Sequence, residues 1–273
     1  MNFKERALAL YQGFSNMPLL WQGTLFGLTQ FKDFDFPVCT TVEITRENQR
    51  LGKLAEELYS WALQHHPNYE LVFENLQIIT HKQTLGELDI CVFDKKNQEY
   101  LHIELITKFY LYNPKFPVDA IEAWIGPNRN DSLLSKTQKL SQKQLPLLHK
   151  PETLTYLKEF GLSPEIKQKV CYKACLFLPL NQPNTLKKLN PLCVAGRYMN
   201  LENFSKLYPD TLQFYCPRKQ DWLRFPESQP TWQTKNDVLP FIKEFMHQFQ
   251  AILVWVKNKN KFERVMVVPY DEM

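Results

Sequence analysis

The stretch Leu85-Gly-Glu-Leu-Asp-Ile-Cys-Val-Phe93, followed after a polar turn by Glu99-Tyr-Leu-His-Ile-Glu-Leu-Ile-Thr-Lys-Phe-Tyr110, decides the reading of this chain. Side chains alternate across a β-strand. In the second stretch Leu101, Ile103, Leu105, Thr107 and Phe109 fall on one face, a core face, and His102, Glu104, Ile106 and Lys108 fall on the other. In the first stretch Glu87 and Asp89 share a face. The turn Asp94-Lys95-Lys96-Asn97 predicts an antiparallel hairpin, which brings Asp89 and Glu104 toward one sheet edge. Ionisable groups on such apolar strands are costly unless partnered.

Working outward, Tyr69–Ile79 predicts a strand before the hairpin, with Thr84-Leu85-Gly86 as the turn between them. A helix is expected over about 45–66, where Leu51, Leu54, Leu58, Trp61 and Ala62 recur at helical spacing. Thr45 is its expected cap, Glu47 lies in its first turn and Pro67 stops it. Beyond a Pro/Gly loop, a basic helix from Asp131 to Leu148, interrupted near Pro146, a helical stretch 151–160 and a strand Val170–Leu178 are predicted. The order is helix, three strands, helix, strand. A short helix covers 2–13 and a loop 30–41; a helix over 237–250, capped by Asp237, and strands over 251–257 and 263–268 complete the chain. The expected fold class is mixed α/β (α+β). Residues 1–44 form an N-terminal helical extension, 45–180 the core, and 181–273 a mixed α/β extension packed on it.

The chain has 273 residues, a net charge of +4 and only 8 glycines. No Gly-x-Gly occurs, and no glycine pair has the spacing of a phosphate-binding loop, which argues against a Rossmann enzyme, a P-loop ATPase and a kinase-type loop. The first residues lack the apolar run of a secretory signal, and no apolar run is long enough for a transmembrane helix, so a cytoplasmic protein without membrane contact is expected. Six sparse cysteines then imply reduced thiols, with Cys171 and Cys175 packed in an apolar strand rather than holding zinc. Residues 135–190 carry ten lysines, three glutamates and no arginine or aspartate, a balance of +7 that leaves −3 for the remainder. A basic segment on a near-neutral body suits a polyanion, although lysine runs are commonly just solvated helix surface.

Two carboxylates beside a lysine suit one chemistry in particular. Carboxylates bind Mg²⁺ through oxygen and leave positions for water and phosphate. The metal activates the water, and the lysine positions it or offsets developing charge. The other reading of the same residues is an interstrand ion pair in which Lys108 neutralises Glu104. No Gly-x-Ser-x-Gly elbow or His-Glu-x-x-His helix offers a different chemistry.

Gly-Glu-x-Asp, a hairpin turn, then a Glu and a Lys on one strand resembles the core of PD-(D/E)XK nucleases, a restriction-endonuclease-like fold of helix, three antiparallel strands, helix and strand. The resemblance implies a metal-dependent nuclease. Asp89, Glu104 and Lys108 would be catalytic, with Asp89 and Glu104 holding Mg²⁺ or Mn²⁺. Gly52-Lys-Leu-Ala-Glu56 matches the Gly-x-x-x-Glu that such nucleases carry in the first helix and makes Glu56 a supporting acid, with Glu57 the alternative. Glu87, His102 and Gln144 are further supporting candidates, His102 as ligand, base or structural residue. Lys136, Lys139 and Lys143 would contact a nucleic-acid backbone, and Asp131, Lys136, Lys139 and Gln144 are candidates from the second core helix. More narrowly, Arg50–Glu56, Leu85–Asp89, His102–Leu111, Gly126–Lys136 with Gln144-Leu-Pro, and Pro217–Trp222 resemble the bacterial domain-of-unknown-function family 1853.

One departure stands out. The superfamily pattern is Glu-x-Lys, whereas here the lysine comes at 108, two residues late and about 6.6 Å further along the strand. The expectation is therefore a Mg²⁺-dependent nuclease acting on DNA or RNA, with two alternatives. One is a catalytically inactive nucleic-acid-binding module. The other is a protein-interaction module with an aromatic surface at Trp222, Phe225 and Trp232. Oligomeric state is left open.

Overall fold

The computed structural model describes residues 2–31, 34–45, 49–163, 165–226 and 231–271. The elements in chain order are α1 (Phe3–Ser15), β1 (Thr24–Leu25), β2 (Leu28–Thr29), α2 (Leu51–Gln64), β3 (Tyr69–Thr80), β4 (Gln83–Asp94), β5 (Glu99–Tyr112) and β6 (Trp124–Ile125). They continue as α3 (Leu133–Lys139), α4 (Leu145–Leu147), α5 (Pro151–Glu159), β7 (Lys167–Pro179), β8 (Val194–Asn200), α6 (Leu201–Leu207), β9 (Gln213–Tyr215), α7 (Lys235–His247), β10 (Ile252–Asn258) and β11 (Lys261–Val268). The fold is mixed α/β around one large sheet of order β3-β4-β5-β7-β8-β11-β10-β9, with β6 attached to β5. The meander β3-β4-β5 is antiparallel, and β7 then pairs parallel to β5 after the helical crossover. β8 continues the sheet beside β7, so the C-terminal strands extend the same sheet.

Apolar alternation explains how the layers assemble. Ile90, Val92, Leu101, Ile103 and Leu105 turn to one face and pack with α1 and with Leu54, Leu58 and Leu63 of α2. Ile106, Tyr110, Val170, Tyr172 and Leu176 turn to the other face, under Trp21, Leu133 and Leu140. A central strand buried on both faces reads as a near-continuous apolar run, and β7 does. Lys173 is the exception within β7: it is buried, and its ammonium donates to the carbonyl of Met17 at 2.6 Å, tying the end of α1 to the sheet. Val254, Val256, Val265 and Val267 pack beneath α6 and α7. Among the described residues no helix is long and apolar enough to cross a membrane.

Several boundaries differ from expectation. The hairpin between β3 and β4 turns at His81-Lys82, both at positive φ (45° and 64°), between the paired residues Thr80 and Gln83. That is the geometry of a two-residue hairpin turn, here without the glycine or asparagine that usually marks it. Thr84-Leu85-Gly86 is therefore strand, not turn. Gly86 serves a close approach instead, since a Cβ there would stand 2.7 Å from Leu147 Cδ2. The helix expected over 45–66 begins at Leu51 with Arg50 at the cap position, so Thr45 is not the cap. Thr45 N–H is held by the Glu57 carboxylate, so Glu57 braces the approach to α2; Glu47 lies outside the described residues. Thr234, not Asp237, caps α7; Asp237 completes the capping box from the first turn.

The basic helix is interrupted as Pro146 demands. Proline has no N–H, and its ring crowds the carbonyl four residues earlier. The helix widens into a π-turn over Leu140–Gln144, in which Leu145 N–H bonds to Leu140 O.

A candidate carboxylate and lysine site

β4 and β5 pair from Asp94↔Glu99 to Ile90↔Ile103 and then stop. The next two residues are Asp89 and Glu104. Where the strands part, the Asp89 carboxylate fills the gap and accepts a hydrogen bond from Leu105 N–H at 3.0 Å. Glu104 is fully buried, and its Oε2 accepts from Gln144 Nε2 at 2.5 Å. Gln144 Oε1 in turn accepts from Lys136 Nζ at 3.2 Å. Gln144 closes the π-turn, so the widened helix supplies the arm that reaches β5. Lys136, Gln144 and Glu104 thus form a chain from cation to carboxylate.

His102 stands two residues before Glu104 and is equally buried. Gln168 of β7 donates to His102 Nδ1 at 3.1 Å and to Leu145 O at 2.7 Å, which leaves the ring proton on Nε2. That nitrogen lies 3.2 Å from Glu104 Oε1 without the alignment of a hydrogen bond, and among the described residues neither atom has another aligned hydrogen-bond partner. Burial, partly opposed by the charge of Asp89, lowers the His102 pKa to about 4, so the ring is neutral.

Burial, then the charge of Glu104, pushes the Asp89 carboxyl up to about 7; Leu105 N–H, His102 and Lys136 pull the other way. Burial likewise raises Glu104 to about 7 against the pull of Lys136 and of hydrogen bonding with Asp89, and Glu56 adds to the rise. Glu56 itself is raised by burial and by Asp89, against the bond from Lys53. Burial and the neighbouring Lys139 and Lys108 lower Lys136, which Asp89 and Glu104 offset. The site is a cluster of carboxyls short of countercharge.

The structure assigns the two lysines differently from expectation. Lys108 shares the face of Glu104, yet its ammonium pairs with Asp131 rather than with the carboxylate pair. Gly126 makes this possible, because a Cβ there would lie 2.0 Å from Asp131 Oδ1. Asp131 precedes α3 and does not join the carboxylates. Lys136 takes the position beside Asp89 and Glu104, while Lys139 and Lys143 are exposed on the outer side of the helix. Glu87 is drawn away by Lys53 at 2.6 Å, and Lys53 also bridges to Glu56 at 2.7 Å. Lys53 and Gln168 were not foreseen. Gln168 follows the Glu99-to-Lys108 strand by some sixty residues and carries no local signal; Lys53 sits one turn from Glu56, at salt-bridge spacing.

A cleft of about 580 Å³ opens beside this cluster. Glu56, Lys108, Lys136, Lys219 and Arg50 line it, and Leu105–Phe109 form part of its wall. Asp89 and Glu104 stand behind that wall. Among the described residues, no three His, Cys, Asp or Glu side chains group closely enough to hold a metal unaided. Mg²⁺, however, is commonly bound by one or two carboxylates completed by water and substrate phosphate. A buried Glu104 Oε1 that meets no aligned hydrogen-bond donor among the described residues, beside a second carboxylate, fits that mode. The aromatic surface expected of an interaction module does not form as one patch: Trp222 is buried against Phe109, and Trp232 stacks on Phe262.

The fold and site define a mixed α/β protein with a buried carboxylate pair, a helix-borne lysine and a basic cleft. The chain belongs to the family described as Domain of unknown function (DUF1853), whose model matches residues 32–268. No curated protein and no solved structure matches it.

Proposed function

We propose that this chain is a divalent-metal-dependent phosphodiester hydrolase of the PD-(D/E)XK nuclease type, acting on DNA or RNA. The observation that carries the reading is the juxtaposition of Asp89 and Glu104 where β4 and β5 part, with Gln144 brought to Glu104 by the π-turn and bonded in turn to Lys136 of α3. The strand order of the core and the parallel return of β7 support it. Asp89 and Glu104 would hold Mg²⁺ or Mn²⁺, with Glu56 assisting across the cleft. The bound metal would supply an activated water and charge stabilisation on the phosphate. Leu105 N–H fixes the Asp89 carboxylate, and Gln144 fixes that of Glu104. Lys136 offsets charge developing on the phosphate, the role first expected of Lys108. Lys108, Lys219 and Arg50 in the cleft would take the backbone phosphates.

Purified protein with Mg²⁺ or Mn²⁺ is expected to cleave DNA or RNA, and Asp89→Ala or Glu104→Ala to abolish cleavage while circular dichroism stays that of the folded chain. Absence of cleavage across single- and double-stranded DNA and RNA overturns the enzymatic reading. One observation favours a second reading: Glu104 is wholly buried and does not line the cleft. A nuclease-like module that binds nucleic acid without cutting predicts salt-sensitive, metal-independent binding that survives Glu104→Gln.

A further inference from the structure

A second cavity, of about 370 Å³, lies between the end of α1, the 222–225 segment and the β10–β11 hairpin. Trp222, Phe225, Trp255 and Phe262 form part of its wall. Arg264 also lines it, with its guanidinium carbon 4.5 Å from the Trp255 ring centre and 4.8 Å from that of Phe225. Arg264 Nη1 donates to Cys175 Sγ at 3.5 Å, and among the described residues Arg264 forms no ion pair. The carboxylate that lines the cavity, Glu263, is engaged by the Tyr208 hydroxyl at 2.8 Å. Trp255 is 4% exposed, and its indole Nε1–H has no hydrogen-bond partner among the described residues.

A guanidinium has five N–H donors in a fixed fork, and a weakly accepting sulfur occupies one of them. A buried indole N–H without an acceptor is likewise uncommon in a folded protein and points to an unseen partner. An exposed aromatic ring favours a flat ring stacked on it, and a guanidinium fork favours a phosphate. The cavity is within the range of about 300–1,000 Å³ typical of small-molecule sites. We propose that this cavity binds a nucleotide, its base stacked against the exposed ring of Phe225 and its phosphate on Arg264. The shared chemistry is a base carrying a phosphate, whether a free nucleotide or the end of a strand. Trp222 lines both this cavity and the basic cleft, so the two sites share a wall. The proposal does not rest on the carboxylate site being catalytic.

The test titrates the full chain with AMP, GMP, CMP and UMP, followed by calorimetry and tryptophan fluorescence. Binding with Kd below about 1 mM and fluorescence quenching are expected. Adenosine and inorganic phosphate alone should bind at least about tenfold more weakly. Arg264→Gln should weaken nucleotide binding by about tenfold or more. Phe225→Ala, which truncates a 41% exposed side chain, should weaken it as well and carries the test if the arginine variant does not fold. Glu104→Gln should leave it unchanged, which separates this site from the carboxylate cluster. A short single strand that binds more tightly with the same Arg264 dependence assigns the cavity to a strand end; one that binds no better assigns it to free nucleotides. No binding by any of the four nucleotides overturns the proposal. So does binding that survives both Arg264→Gln and Phe225→Ala, or that is lost in Glu104→Gln.

Discussion

Asp89 on β4 accepts a hydrogen bond from the backbone N–H of Leu105 on β5 at 3.0 Å, just beyond the last paired residues, Ile90 and Ile103. A ladder hydrogen bond is replaced by a bond to a side chain, and a carboxylate is thereby held inside the sheet. Glu104, the residue before Leu105, is brought against it. The site follows from the place where strand pairing ends.

This arrangement sets a pH dependence. Asp89 and Glu104 are raised to about 7 in the folded chain, whereas unfolded carboxyls titrate near about 4. Between those values the folded state binds more protons than the unfolded state, so the two groups cost stability as pH rises from about 4 to 7. Glu104→Gln should therefore stabilise the fold at pH 8, by about 1–3 kcal/mol. The gain should vanish near pH 4, as urea denaturation at both pH values will show.

His102 behaves in the opposite sense. Burial holds its pKa down to about 4, below the ordinary histidine value. Its ring resonances in NMR should stay those of a neutral imidazole from about pH 8 to 5.5, a range that spans the ordinary histidine value of about 6.5. A His102 midpoint above about 6 would contradict the buried, Gln168-held ring.

The two lysines separate in a cleavage assay. Lys136→Met should lower kcat by roughly 10²–10³-fold, the usual cost of one preorganised charge-stabilising group. Lys108→Met removes a partly exposed pair with Asp131 and should cost far less. Equal losses would return the catalytic role to Lys108.

Gly86 tests the helix contact. A valine there drives its Cβ against Leu147, which is buried. Gly86→Val should lower the urea midpoint, corresponding to about 1–3 kcal/mol, and displace the turn that carries Gln144.

Much of this was legible in the sequence. The parity of His102, Glu104 and Lys108 along one strand, and of Glu87 and Asp89 along its neighbour, followed from alternation alone. So did the hairpin, whose polar turn lies at Asp94–Asn97. The partner of Lys108 was hidden because Asp131 reaches it only through the close fold at Gly126. The reach of Gln144 to Glu104 depends on a π-turn beside Pro146, which helical periodicity does not forecast. The His81-Lys82 turn was missed because both residues adopt a conformation that sequence rules reserve for glycine and asparagine. The merging of the C-terminal strands into the core sheet is a long-range pairing with no local signature.

The most direct test is calorimetric titration of Mn²⁺ and of Mg²⁺ into the full chain at pH 8, repeated with Asp89→Asn and Glu104→Gln. The account predicts saturable binding to the wild-type chain, lost in both variants while each remains folded. Absence of binding to the wild-type chain, or binding that both variants retain, would contradict a metal site built on Asp89 and Glu104.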